Sequence, residues 1–387
     1  IHLFKNQPNM KTILYYFFIA FFVFSCSKDE DIKPEPENIN VSGKLFAPNN
    51  TDPISNAKVT ASKNNTVIAE ARTNNQGDFT ISIPAGEYEL LLTKGMFSTQ
   101  KSIVINEETI LEDYKIDTFP KIGVVTGHFD NIQNILYDIG LVNPLNGEPL
   151  FDIIEGINTN RIAYNTKNKH NVHSSVTENM NNKIMNPMLE PNVDFDFGDL
   201  IADQILLDSY DILFLNCGLN EAFEDSDASI FNYVSNGGFL YATDWAFGYL
   251  NTITNGGADY IDFYTPEKSG VSLTTNATIL NGDLSAWLLL NFGISIDDTV
   301  EIDEFLSSWQ VVDSYDSNTC ISWLNGPVTF RDDTNTIIAE NKDLAFTFIV
   351  GTGAVFYSSF HTENDDEGFS DVDRIMEYLV FEMSDIE

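Results

Sequence analysis

Lys121-Ile122-Gly123-Val124-Val125-Thr126 is the stretch that decides the fold. It is short, almost unbroken in its apolar character and rich in β-branched residues, as expected of a strand buried on both faces of a parallel sheet. A turn at Gly127-His128-Phe129-Asp130 follows, then Asn131 to Ile139 with apolar residues at 132, 135, 136 and 139, which is helical spacing. Asp211 to Cys217 and Phe239 to Thr243 repeat the strand signal, and between them Ser229 to Val234 reads as a helix stopped at Asn236-Gly237-Gly238. Ala345 to Val350 turns at Gly351-Thr352-Gly353 into Ala354 to Ser359, and Asp371 to Met383 is an amphipathic closing helix. Alternating strand and helix signals predict a doubly wound, flavodoxin-like α/β domain over residues 119–387, with helices on both faces of a parallel sheet. Residues 141–200, rich in Asn, and 251–340 break the pattern and read as insertions, the second lying over the sheet.

Upstream, residues 39–116 alternate apolar and polar side chains in short runs, such as Phe79-Thr80-Ile81-Ser82-Ile83 and Tyr88-Glu89-Leu90-Leu91-Leu92. Pro53, Asn74-Asn75-Gln76-Gly77 and Pro84-Ala85-Gly86 punctuate them. The pattern predicts a small all-β sandwich of the immunoglobulin or transthyretin kind, so the chain is multidomain.

The order of residues in that segment adds a resemblance. Val41-Ser42-Gly43, Pro53 to Val59, Thr73 through Gly77-Asp78-Phe79, and Ile83 to Tyr88 resemble the carboxypeptidase regulatory-like, or transthyretin-like, family. That resemblance implies an accessory module, in a group whose related folds bind carbohydrate. The segment holds no His or Cys, which favours a spacer role.

The amino terminus reads as an address. From Met10 a basic start precedes the apolar run Ile13 to Phe24, too short to span a bilayer, which describes an export signal over residues 1–25. Val23-Phe24-Ser25-Cys26 resembles the lipobox of bacterial lipoproteins, which implies acylation of Cys26 and a membrane partner through that anchor. Lys28-Asp29-Glu30 looks like the acidic tag of outward-facing outer-membrane lipoproteins, and residues 26–38 read as an acidic tether. The expected location is the cell outer membrane, lipid-anchored and facing outward.

The 387 residues carry 20 Lys and Arg against 58 Asp and Glu, a formal net charge of −38. So acidic a surface repels phosphate backbones, which excludes nucleic acid as a partner. Three Cys in the whole chain exclude a disulfide scaffold. No protein partner can be read from the sequence.

Ligands of open parallel sheets bind beyond the carboxyl ends of the strands, and three such ends carry polar groups: Asn216-Cys217, Thr243-Asp244-Trp245 and His361-Thr362-Glu363. Ala242-Thr243-Asp244-Trp245-Ala246 has the small flanking residues that a sharply bent nucleophile elbow needs, with Asp244 at its apex. A carboxylate there serves as a nucleophile or, alternatively, caps the next helix. Tyr233-Val234-Ser235-Asn236-Gly237-Gly238 and Gly353 through Glu363 resemble the class I glutamine amidotransferase-like superfamily, most closely its ThuA-like branch. The resemblance implies a catalytic group of Asp244, His361 and Glu363, with His361 as base, Glu363 orienting it, and Asp244 as nucleophile or second acid. Asp244 stands where true amidotransferases carry Cys, which argues against glutaminase activity.

Cys217 is a lesser nucleophile candidate, because a buried Cys is more often a small hydrophobe. Trp245, Asn216 and His128 are the candidate ligand-binding residues, for a small polar or glycan ligand. No cofactor is expected. Asp244, His361 and Glu363, with His128 as a fourth ligand, suit a divalent metal, but without a recognisable ligand spacing no metal is assigned. The competing reading is a non-catalytic binding or scaffold protein.

Overall fold

The computed structural model describes residues 37–157, 189–223, 228–254, 260–362 and 369–385. The expected export signal, Cys26 and most of the expected acidic tether therefore lie outside the described residues, as does Glu363. Residues 39–387 form one compact unit. Among the described residues no helix is long and apolar enough to cross a membrane.

Two four-stranded sheets form the sandwich. One contains β1 (Asn38–Phe46), β4 (Asp78–Pro84), β7 (Thr109–Ile110) and β8 (Tyr114–Lys115); the other has the order β3 (Thr66–Arg72), β2 (Lys58–Lys63), β5 (Gly86–Lys94), β6 (Phe97–Ile105). Alternate residues point inward, as in β4, where Phe79, Ile81 and Ile83 are buried and their neighbours are not.

The second module is built on one nine-stranded sheet. Its order is β10 (Asp152–Ile154), β9 (Ile122–Val125), β11 (Ile212–Leu215), β12 (Phe239–Thr243), β19 (Gly353–Ser358), β18 (Ile337–Val350), β17 (Cys320–Arg331), β14 (Leu273–Ile279), β15 (Thr299–Phe305). The first five strands pair in parallel and form the doubly wound half. From β19 onward every pairing is antiparallel. Residues 251–340 thus do not simply lie over the sheet, as periodicity suggested. Three of their strands extend its edge, and only β13 (Ile261–Phe263) with β16 (Val312–Tyr315) makes a separate ribbon.

Side-chain parity splits the parallel strands between two cores. Ile122, Val124, Phe214, Tyr241 and Phe356 face α1 (Ile132–Asp138) and the carboxyl-terminal helix α7 (Asp371–Glu382). Val125, Leu213, Leu215, Ala242 and Tyr357 face the opposite layer, which holds α2 (Phe197–Ala202), α3 (Gln204–Leu207) and α4 (Ser229–Ser235). Two further α-helices occur among the described residues, α5 (Asn251–Thr254) and α6 (Gly282–Phe292). The acidic run Asp194 to Asp199 is explained locally: Asp196 and Asp199 form a reciprocal cap on α2.

The glycines that carried the superfamily resemblance have packing reasons. A Cβ at Gly238 would sit 2.3 Å from the Tyr233 ring, and one at Gly353 would sit 2.2 Å from the Gly238 carbonyl and 2.3 Å from that of Val234. Only bare backbone lets α4 close onto β12 and β19 at this end of the sheet.

The sandwich is no loose spacer. Its core is continuous with the α1, α6 and α7 face of the α/β module. Phe97 packs edge-on to Phe381, the Trp287 indole N–H donates to the Pro53 carbonyl (2.8 Å), and Lys94 pairs with Glu382 (2.5 Å). Arg374 on α7 bonds both Asp52 of the sandwich (3.0 Å) and Glu377 of its own helix (2.6 Å).

Candidate functional site

At the carboxyl end of β12 the chain turns sharply. Thr243 is extended and Asp244 has φ +40°, in the left-handed region that side chains other than Gly and Asn adopt at a cost. Ala242 and Ala246, two residues to either side, are fully buried. This is elbow geometry with a carboxylate at the apex. The cap alternative is corrected: the Asp244 carboxylate caps nothing, and its Oδ1 accepts the backbone N–H of Gln310, 66 residues away (2.7 Å).

Oδ2 is thereby aimed at two partners. It lies 3.3 Å from His361 Nε2 and 3.6 Å from Cys217 Sγ. Three strand ends therefore converge on one oxygen: β11 through Cys217, β12 through Asp244, β19 through His361. All three are buried, Cys217 to 1%, Asp244 to 2% and His361 to 8% exposure, so the strand ends at which a ligand was expected form an enclosed cluster.

Burial pushes the Cys217 thiol well above its ordinary range, reinforced by the Asp244 charge. The thiol faces the Asp244 carboxylate at 3.6 Å in a fully buried position, which weighs against a nucleophile's role for Cys217. Cys320, also buried and pushed up to about 11, sits away from this cluster on β17.

A second carboxylate organises the first. Asp130, 1% exposed, accepts the hydroxyls of Thr243 and Thr362, the Thr362 backbone N–H (3.1 Å) and the Asn131 N–H (3.0 Å). Thr243 precedes Asp244 and Thr362 follows His361, so Asp130 fixes both from the end of β9. Thr243 Oγ1 also accepts the Cys217 N–H (3.0 Å). Burial holds the Asp130 carboxyl above the usual carboxylate range, opposed by the charge of His361 and by the Thr243 and Thr362 hydrogen bonds. Gly127 makes this approach possible, because a Cβ there would fall 2.1 Å from the Cys217 carbonyl.

The remaining sequence candidates fall elsewhere. Asn216 is 1% exposed and its amide donates to Gln133 Oε1 (2.9 Å) and the Asp130 carbonyl (3.2 Å), which makes it a strut rather than a ligand-binding group. Trp245 is half-buried, its N–H held by the Ser308 carbonyl (2.7 Å) and its ring face covered by the Lys268 ammonium at 4.3 Å. His128 is half-buried beside Phe129, with ring centres 6.0 Å apart. Trp287, Trp309 and Trp323 are core residues. Sequence reasoning missed Asp130 and Gln310. The first stood in the quoted turn after the opening strand; the second acts through its backbone and leaves no side-chain signal.

These features define a two-module chain, a β-sandwich buried against an α/β domain with an acidic elbow. Residues 40–112 match the family model of the carboxypeptidase regulatory-like domain. No curated protein matches the chain. Among solved structures, a ThuA-like protein from Parabacteroides merdae ATCC 43184 is similar at 13% identity and a TM-score of 0.35, over 67% of this chain and 87% of that one. The 5-hydroxyisourate hydrolase of Klebsiella pneumoniae is similar over 21% of this chain and 96% of its own, at 21% identity and a TM-score of 0.17. A DUF3823 family protein from Parabacteroides merdae ATCC 43184 is similar at 11% identity and a TM-score of 0.19, over 22% of this chain. The match spans about half, 49%, of that protein's length.

Proposed function

We propose that this is an exported surface lipoprotein, anchored through Cys26, whose α/β domain binds a small polar or carbohydrate ligand beside Asp244 and His361 and hydrolyses it. One observation carries the reading: a carboxylate is held at φ +40° on a strand-end turn with its Oδ2 3.3 Å from an imidazole. The left-handed backbone of a non-glycine residue costs about 1–3 kcal/mol, and such costs gather at sites of chemistry. In this reading His361 is the base and Asp244 the nucleophile or second acid. Glutaminase activity is not proposed, since a carboxylate replaces the thiolate that forms the thioester.

The near-complete burial of Asp244 and Cys217 favours one alternative, a binding module in which the same cluster only braces the strand ends. A panel of chromogenic p-nitrophenyl glycosides, esters and phosphates separates the two. The hydrolase reading expects turnover of at least one class, with kcat/KM lowered about 10²–10⁴-fold by Asp244→Asn and by His361→Ala. Turnover unchanged in both variants contradicts it, and saccharide binding without any turnover supports the binding module.

A further inference from the structure

An acid–base pair needs no thiol, yet Cys217 Sγ points at the same carboxylate oxygen as the imidazole. We infer that Cys217, Asp244 and His361 form a binding site for a divalent zinc-type ion. The inference rests on the reading above for the site's location and refines its chemistry, since with an ion seated His361 is a ligand rather than a base.

The geometry is that of a metal face. The Cys217 sulfur, a carboxylate oxygen of Asp244 and an imidazole nitrogen of His361 all lie within 4.8 Å of one another, each delivered by a different strand end. Tetrahedral zinc bonds sulfur at about 2.3 Å, imidazole nitrogen at about 2.0–2.1 Å and carboxylate oxygen at about 2.0–2.2 Å. Those bonds place ligand sulfur and oxygen about 3.5 Å apart, and nitrogen and oxygen about 3.4 Å apart. The separations here are 3.6 Å and 3.3 Å.

The surroundings agree. The Gln310 amide occupies Oδ1 and fixes the direction of Oδ2, while Asp130, through Thr243 and Thr362, fixes the segments that carry Asp244 and His361. Such outer hydrogen bonds are what orient metal ligands. Two carboxyl groups are buried here beside one imidazole, and among the described residues neither Asp130 nor Asp244 forms an ion pair with a Lys or Arg. A divalent cation at Oδ2 would balance the Asp244 carboxylate in place of a protonated His361. A sulfur, nitrogen and oxygen donor set suits zinc and excludes the oxygen-seeking ions magnesium and calcium. Three protein ligands leave a fourth position for water or a ligand oxygen, as in catalytic rather than structural zinc sites.

The test needs no substrate. The full-length chain is loaded with zinc, desalted and assayed by elemental analysis, then stripped and reloaded with cobalt(II). We expect one zinc per chain and, with cobalt, a thiolate charge-transfer band in the near ultraviolet. That band disappears in Cys217→Ser and persists in Cys320→Ser and Cys26→Ser. Zinc affinity falls more than about 100-fold in Cys217→Ser and in His361→Gln, because losing a ligand exceeds the 10–100-fold loss of an outer partner. Chelator-treated Cys217→Ser and wild-type chains melting at the same temperature show that the loss is not unfolding. Zinc far below one per chain, or a cobalt band indifferent to Cys217→Ser, overturns the inference. If p-nitrophenyl turnover is present and zinc stays far below one per chain, the acid–base reading stands and the ion falls. If zinc binds but Asp244→Asn leaves turnover intact, the ion stands and the hydrolase reading falls.

Discussion

Replacing Arg374 with methionine is expected to destabilise the protein by about 3–5 kcal/mol, the cost of stranding buried charges. One guanidinium serves two carboxylates, Glu377 at 2.6 Å and Asp52 at 3.0 Å, and lies over the rings of Phe292 and Phe369. Glu377 is almost fully buried, and burial first, then the Asp52 charge, hold its carboxyl well above the usual range against the pull of Arg374. A raised native pKa means that the folded chain binds more protons than the unfolded one above the ordinary carboxyl value. Stability from this group therefore falls as pH rises through that window. Arg374→Met removes the opposing cation and widens the window, so its deficit is larger near about pH 8 than near about pH 5. Urea denaturation at both values measures it. Because sandwich and α/β module share a core, both are expected to unfold in one transition. A loss below about 1 kcal/mol, or one independent of pH, contradicts this account of the junction.

Asp130→Ala is expected to cost about 3–5 kcal/mol and to abolish function with the elbow untouched in sequence. The side chain accepts two hydroxyls and two backbone N–H groups. Removing it leaves several buried donors unpaired at about 1–3 kcal/mol each, partly relieved by relaxation. Asp130→Asn keeps the volume and an acceptor oxygen. Since burial already raises this carboxyl, its ionised form is a burden that grows as pH rises above the ordinary carboxylate value. The amide variant is therefore expected to lose less than half of what the alanine variant loses at neutral pH. Thermal and urea melts of the two variants measure this, and equal losses contradict the proposed role.

The parallel strands were legible because burial on both faces writes an uninterrupted apolar run, as in Ile122–Val125 and Ile212–Leu215. The elbow was legible because its bend tolerates only small neighbours, here Ala242 and Ala246. Other parts left no such trace. The first half of β18 is largely exposed and polar, and β17 carries Asn325, Gly326 and Pro327 in its middle, so neither long strand reads as one apolar or alternating run. Gln310 holds Asp244 through a backbone amide, which any residue type supplies. Asp52 and Arg374, 322 residues apart, meet only because a sheet and a helix pack, and nothing local in either segment announces the partner.

The central claim is that the turn bearing Asp244 and the strand end bearing His361 act as one site. A double-mutant cycle with Asp244→Asn and His361→Gln, read by urea unfolding, tests it without knowledge of any ligand. Side chains in contact at 3.3 Å predict a coupling of about 0.5–3 kcal/mol. Losses that add to within about 0.3–0.5 kcal/mol would mean that the two do not meet, and the site with them would be gone.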